Sequence, residues 1–489
     1  DYNSGIWLNS VRNGRIENNT CSYGNYFGIY LRYSNNNTII DNEINSNLED
    51  GVELYRSNNN KIINNTMNNQ RRGIFLESHR GNICDNNYIY GNTARYNSFV
   101  GLELPSEEDN NIMEKNDFSY NGYHGINIGG GSQGNRIIDN TISYNTRHGI
   151  YSNTQPAEGS LRRLTISKND ISNNYRHGIF MDGYSNEFYI YDNIFSNNGW
   201  NGMEVQAGNN NYEYVGNFFY RNQDHGLNLR SDPNLVSKNS FIENDGHGLI
   251  VEAYNNVSHN ICQGNTGNGI AILSGASNLI FNNTLLANVG YGISISNNDR
   301  NNFTKNYFKG NDNGMYISQS DFNQFSENIF DNNADRGIEL YSSINNTFFN
   351  NTFSYNQFGI LVSGGSEHLF YYNFFISNII HVFDSGAIPS KWDNNTIGNY
   401  WDDYEGYDNN GDGIGDTPYV IYQSPLIQDR FPIWDISDTF SPVISIHNPE
   451  NNGLFGLTPP TFELTINEYN LSQSWYSLNG GLNFTFTGL

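Results

Sequence analysis

The amino-acid sequence predicts an all-β molecule: a right-handed, single-stranded parallel β-helix of about sixteen coils over residues 1–378, a C-terminal cap over 379–438, and the start of a β-sandwich over 439–489. Three observations predict it. A glycine followed by apolar-x-apolar recurs sixteen times at a nearly constant interval. A column of asparagines trails the glycines by about 14 residues. The composition is rich in Asn and Gly and 15% aromatic, although only 36% is hydrophobic, so the chain must satisfy many amides while still forming a core.

The glycines are Gly5, Gly28, Gly51, Gly73, Gly101, Gly125, Gly149, Gly178, Gly202, Gly226, Gly248, Gly269, Gly292, Gly314, Gly337 and Gly359, spaced 21 to 24 residues apart except for steps of 28 and 29. A period in this range marks a stacked repeat. Residues one and three after each glycine alternate with the one between them, so they face inward in a strand. Of these thirty-two inward positions only Ser152 is polar. Coils stacked at about 4.8 Å give a rod on the order of 75 Å long, with the hand that parallel crossovers impose.

The asparagine column includes Asn19, Asn42, Asn65, Asn87, Asn116 and Asn140 and continues to Asn373, with a further Asn commonly five residues on, as at Asn47, Asn121 and Asn145. An amide stacked on its equivalents donates to one coil and accepts from the next. The two long steps are assigned to insertions at residues 92–100 and 153–162, where a solenoid can carry functional loops.

The stretch Arg147-His148-Gly149-Ile150 returns at Arg176 to Ile179, and Gly-His-Gly occurs at Gly246 to Gly248. Beside acidic residues this resembles a catalytic signature. Yet His124, His148, His177, His225 and His247 all immediately precede a repeat glycine, a position also held by Asn201, Arg72 and Arg336. The series therefore reads as a turn column. Imidazoles one strand spacing apart also offer ligands to a soft metal.

Outward positions on the glycine strand carry Glu53, Glu103, Glu204 and Glu339, which do not fall in successive coils and so form no close carboxylate pair of the glycosidase kind. The same column carries Trp7, Tyr30, Phe75, Tyr151 and Phe180, candidate glycan contacts because flat rings stack on sugars. The segment Asp408 to Asp416 reads D-x-N-x-D-G-x-G-D. Side-chain oxygens of Asp408, Asn410, Asp412 and Asp416, with the Ile414 carbonyl, suit Ca²⁺, although Tyr419 stands where an EF-hand loop has its bidentate Glu. Sequons for N-glycosylation occur at Asn18, Asn36, Asn64, Asn256, Asn282, Asn302, Asn345, Asn350, Asn394, Asn470 and Asn483.

A formal net charge of −25 and a pI near 4.6 disfavour nucleic acid and anionic membranes as partners. No apolar run is long enough to span a bilayer. Three cysteines, Cys21, Cys84 and Cys262, form no disulfide framework and no metal-ligand spacing. Asp1 already lies within a repeat and Leu489 within an unfinished strand, so the chain is expected to belong to a longer polypeptide.

Gly398-Asn399-Tyr400-Trp401-Asp402-Asp403-Tyr404, followed by Asp412-Gly413-Ile414-Gly415-Asp416-Thr417-Pro418-Tyr419, closes the repeat array. Together with the repeat this resembles the NosD-type right-handed β-helix proteins over roughly residues 1–435. The trailing segment resembles the Ig-like modules that follow such helices in large archaeal surface proteins. The resemblance implies a cell-surface or extracellular location and folds shared with carbohydrate-binding and sugar-hydrolase domains. The family takes its name from a factor for copper-centre assembly, but no Met or Cys ligand pattern is present, so Cu or Zn is not expected. The expected function is structural or glycan-binding and non-catalytic, with glycans, other surface proteins or further copies as partners. The alternatives are a polysaccharide lyase, hydrolase or epimerase, and copper handling.

Overall fold

The computed structural model describes residues 4–434 except 79–82, 155–158, 184, 207–210, 232, 387 and 424–425, and beyond them the backbone of four short strands. Three parallel sheets wind as one solenoid of about seventeen turns, with no helix among the described residues. The first sheet has seventeen strands, from Ile6–Asn9 to Ile380–Asp384, and contains the glycine motif. The second has sixteen, from Arg15–Glu17 to Leu369–Tyr371. The third has eleven, from Asp170–Ser172 to Tyr400–Trp401, and single bridges through Thr20, Glu43, Thr66, Thr93, Asp117 and Thr141 extend it toward the N-terminus.

Register places like above like. Ile6 pairs with Ile29, Ile29 with Val52 and Val52 with Ile74. From the second coil on the inward aliphatic positions are buried, with Ser152 among them, and Ile6 and Leu8 of the first coil are half-buried. The repeat glycines are required by close approach. A Cβ on Gly226 would meet the Gly248 carbonyl oxygen at 2.5 Å and Phe241 Cδ1 at 2.8 Å.

Asparagine ladders hold the corners. In the longest, the Asn65 Oδ1 accepts both the backbone N–H of Asn42 (3.0 Å) and its side-chain N–H (2.9 Å), while Asn42 Nδ2 also donates to the Ile16 and Ile40 carbonyls. Parallel ladders pass through Asn37–Asn60–Asn87–Asn111 and Asn97–Asn121–Asn145–Asn174. The residue before a ladder Asn turns the corner with positive φ: Asn36 (60°), Asp41 (55°) and Ser46 (57°). Asn and Asp tolerate that conformation because their short side chains bond locally, and Lys115, Tyr120 and Tyr144 adopt it at equivalent corners.

Two sequence expectations need correction here. Asn87 lies in a different ladder from Asn65, whose partner is Asn92, in turn bonded to Asn116. Residues 92–100 are therefore an ordinary stretch of coil. Asn60 and Asn65 both reach partners 27 residues on, so the extra residues precede Asn87, in the connection after Arg72–Glu77. Two columns with the same letter five residues apart made that slip invisible in the sequence. The second insertion lies where expected, between the strands Ile150–Thr154 and Leu161–Arg162, though residues 155–158 are outside the description. The first sheet also continues past residue 378. Val382 pairs with Ile360, which puts His381 where sixteen earlier coils have glycine.

The core changes character along the axis. Aliphatic residues dominate the early coils, whereas Phe308, Phe330, Phe353 and Phe375 stack at 4.4 to 5.1 Å in the later ones. Trp401 stacks on Phe375 at 4.4 Å, and Tyr419 on Trp401 at 4.3 Å. A second column of phenylalanines ends with Trp392 on Phe370 at 4.1 Å. These two indoles plug the open end. Asp429 ends the asparagine ladder: its carboxylate accepts the backbone N–H of Asn399 (2.6 Å) and the indole N–H of Trp401 (2.9 Å). Of the segment read as the start of an Ig-like sandwich, the description covers two antiparallel pairs, Val443–Asn448 with Glu463–Asn467 and Trp475–Ser477 with Asn483–Thr485.

Candidate functional site

His124, His148 and His177 lie one above another, with ring centroids 5.1 and 5.2 Å apart and nearly parallel planes. Asn201 interrupts the column, and His225 and His247 resume it at 5.0 Å. The Nδ1 of each His124, His177, His225 and His247 accepts the backbone N–H of the next coil's column residue, at 2.8 to 3.2 Å. That fixes these rings as neutral acceptors at Nδ1, the role Asn201 Oδ1 fills toward the His225 N–H. Burial, together with the neighbouring charges of Arg147 and Arg176, pushes His124 down to about 3. Burial and the adjacent imidazoles push His148 to about 2. Burial is the chief cause at His177 and His247, both about 4, and lowers His225 as well. With Nδ1 engaged in this way, His124, His177, His225 and His247 do not offer it to a metal, whereas the buried Nδ1 of His148 has no hydrogen-bond partner.

The aromatic column divides. Trp7 is 44% exposed, Tyr30 is half-buried, and Phe75 is buried beneath the Arg72 guanidinium, 3.4 Å from the ring centroid. Tyr151 stacks on His124 at 4.6 Å and Phe180 on His148 at 5.1 Å. Rings stacked along the axis turn their faces to one another, which leaves mainly edges outward. Of the outward carboxylates, Glu103 joins the buried Asp50 in clasping Arg72, and Asn201 donates to Glu204. Burial and the neighbouring Asp50 push Glu53 up to about 9.

In the cap loop, Asp408 accepts the backbone N–H groups of Gly411 (2.7 Å), Asp412 (3.3 Å) and Gly413 (2.8 Å). Desolvation opposes its ionisation, but the N–H groups of Gly413, Gly411 and Asp412 outweigh that and hold Asp408 below the usual carboxylate range. Asn410 Oδ1 accepts the Asp412 N–H, Asp412 Oδ1 accepts the Ile414 N–H, and Asp416 accepts from Asn409. The geometry is a chain of Asx turns, with Ile414 bridged to Ile433.

Among the described residues, three metal-ligating groups converge in one place, and the sequence reading missed it. His381 Nε2 lies 2.9 Å from Asp402 and 3.3 Å from Asp403, all three ligand atoms within 4.8 Å of one another. Ser377 donates to Asp402 and Tyr419 to Asp403. The hydrogen bond from His381 holds Asp403 below its ordinary range. The signal was present in Trp401-Asp402-Asp403, but recognising its partner required placing His381 in the seventeenth coil.

The sequon residues Asn18, Asn36, Asn64, Asn256, Asn282 and Asn302 are exposed, and Asn345, Asn350 and Asn394 half-buried, so none is a buried ladder residue. Asn470 lies outside the described residues, as does the Asn483 side chain.

The family described as right handed beta helix region matches residues 158–308 and 234–380. The family described as periplasmic copper-binding protein (NosD) matches residues 1–94 and 49–214. A probable ABC transporter binding protein NosD from Stutzerimonas stutzeri is 33% identical over 85 residues, 17% of this chain, and the match spans only 20% of that relative. Among solved structures, the surface adhesin PfbA of Streptococcus pneumoniae is 13% identical with a TM-score of 0.32, covering 66% of this chain and 82% of the other. The A-module of the Azotobacter vinelandii mannuronan C-5 epimerase AlgE4 is 14% identical with a TM-score of 0.33, covering 70% and 88%. Likenesses this distant assign the chain no activity. Among the described residues there is no helix long and apolar enough to cross a membrane.

Proposed function

We propose that this chain is a non-catalytic extracellular or cell-surface β-helix, a rigid rod that is structural or glycan-binding within a surface layer, appendage or adhesin. Its partners are glycans, other surface proteins or further copies, and Ca²⁺ bound by Asp408, Asn410, Asp412, Ile414 and Asp416 firms the cap. The observation that supports this most is the use made of the histidine column. The groups that most resemble catalytic residues are neutral acceptors joining one coil to the next. The outer surface of a stiff stack is then the working part. The name of the family matched over residues 1–214, periplasmic, supports a location outside the cytoplasm.

A glycan array probed with and without Ca²⁺, followed by reducing-end and unsaturated-product assays on every hit, tests the reading. Binding without turnover is expected. Turnover abolished by His247→Ala or Glu204→Gln would replace it with a polysaccharide-modifying enzyme. One observation favours a second reading, divalent-metal handling: the convergence of His381, Asp402 and Asp403. Stoichiometric metal in the purified protein, lost in His381→Ala, would establish it.

A further inference from the structure

We infer that a pocket near the N-terminal end of the β-helix binds the carboxylate of an acidic sugar. This rests on the glycan-binding half of the proposed function and names the site and ligand class. The pocket, about 490 Å³, is lined by Ser10, Arg12, Tyr33, Asn35, Arg56 and Asn58, with Ile83 at its edge. That volume falls within the range of small-ligand sites and holds a sugar ring or two.

Its electrostatics run against the rest of the molecule. The chain has 50 acidic residues against 25 lysines and arginines, yet among the described residues no carboxylate lines this cavity. Among the described residues no ion pair involves Arg12, Arg32 or Arg56, whereas Arg15, Arg71, Arg95, Arg163 and Arg221 each reach a carboxylate. Glu77 and Asp85, in the flanking columns, are paired with none of the three. The Arg56 Nε is buried without a hydrogen-bond partner, while its Nη1 donates to the Tyr33 hydroxyl at 3.0 Å. A buried, unmatched guanidinium N–H is costly, and an incoming anion supplies what it lacks.

The arginines are also held in place. Arg56 lies over the Tyr55 and Tyr33 rings at 4.9 and 5.6 Å, and Arg32 over Tyr33 at 5.1 Å. A guanidinium fork positioned this way matches a planar carboxylate. Tyr33 remains 37% exposed, and the side chains of Ser10, Asn35 and Asn58 can meet sugar hydroxyls. The net charge of −25 does not forbid this, because at physiological ionic strength fields are screened within roughly 8 Å. A sugar polymer fits better than an acidic peptide. A peptide that adds as a strand needs unpaired backbone groups, and here the backbone N–H groups of Ser10 and Tyr33 are already bonded to the next coil.

The test is calorimetric titration of the full chain with hexameric oligogalacturonate and oligoguluronate, their methyl esters, a sulfated heparin hexasaccharide and poly-L-glutamate. Wild type is expected to bind at least one uronate hexamer, and its methyl ester at least tenfold more weakly. Arg12→Gln/Arg56→Gln should weaken binding tenfold or more, Arg56→Lys by an intermediate factor, and Arg300→Gln, which removes one charge on another surface, not at all. Equal loss in Arg300→Gln, unchanged binding in the double variant, or preference for the sulfated or peptide probe would overturn the assignment. If the double variant keeps wild-type glycan binding, the pocket is wrong and the broader reading stands. If wild type retains no glycan, neutral or acidic, the pocket and the glycan-binding half of the proposed function fail together.

Discussion

Asn116 donates from its amide to the Ile89 and Glu114 carbonyls and to Asn140, while its oxygen receives both N–H groups of Asn92. Asn116→Leu keeps the approximate volume and orphans several buried groups at once. Each such group costs about 1–3 kcal/mol, so a loss on the order of 3–5 kcal/mol is expected in denaturant unfolding. The histidines give a second residue-scale prediction. Their folded pKa values lie below the unfolded value near 6.5, so the unfolded chain binds more protons in acid. Their contribution is fully present above about pH 6.5 and is lost as pH falls toward 4, at about 1.4 kcal/mol per pH unit for each ring. His124→Asn/His148→Asn/His177→Asn substitutes a residue the column already accepts at Asn201 and Asn268. Relative to wild type, the variant should gain thermal stability at pH 5 compared with pH 7. An unchanged difference between the two pH values would contradict the burial assigned to these rings. Each residue's column was legible in the sequence. The direction of each hydrogen bond was not, because it depends on which ring nitrogen faces the next coil.

At the scale of an element, each of the first sixteen coils needs a glycine at one inner corner, and each ladder asparagine a sharp turn before it. Gly226→Ala would press a methyl group against the next coil's carbonyl and Phe241, and a destabilisation of about 1–3 kcal/mol is expected by thermal denaturation. The cap is an element of the same kind. Trp401→Ala removes the plug over Phe375 and frees the indole hydrogen bond to buried Asp429. Limited proteolysis should then cut after residue 378 before it attacks the earlier coils. Uniform cleavage along the chain would show that the cap does not seal the end. The sequence pointed to the cap through its closing motif but not to its mechanism. Asp429 shows why: nothing nearby in the chain marks it as the end of a ladder whose last asparagine is Asn399. For the same reason His381 passed as a cap residue, since the seventeenth coil lacks the glycine by which the others were found.

Across the whole molecule, about seventeen turns stack in register, so shape and stiffness follow from repetition of one coil. The architecture was readable because a solenoid repeats its constraints: sixteen glycines and long asparagine columns leave little choice of fold. Function was less readable, because repetition also multiplies residues that look chemical. Only spatial placement separates His247, bonded to the Asn268 backbone, from His381, which faces two carboxylates. If the cap loop binds Ca²⁺, terbium luminescence should saturate in wild type and be lost in Asp408→Ala/Asp412→Ala, with a higher melting temperature in Ca²⁺ for wild type alone. The claim underlying the rest is that the histidine column is architecture. Nitrogen NMR of selectively labelled histidines tests it most directly, by following each ring from pH 8 to 4.5. His124, His148, His177 and His247 are expected to stay neutral well below pH 6, with the proton on Nε2 in His124, His177 and His247, and His177 and His247 to begin to charge only toward the acid end. A column histidine that titrates between pH 6 and 7 would contradict the account and return that residue to the candidates for catalysis or metal binding.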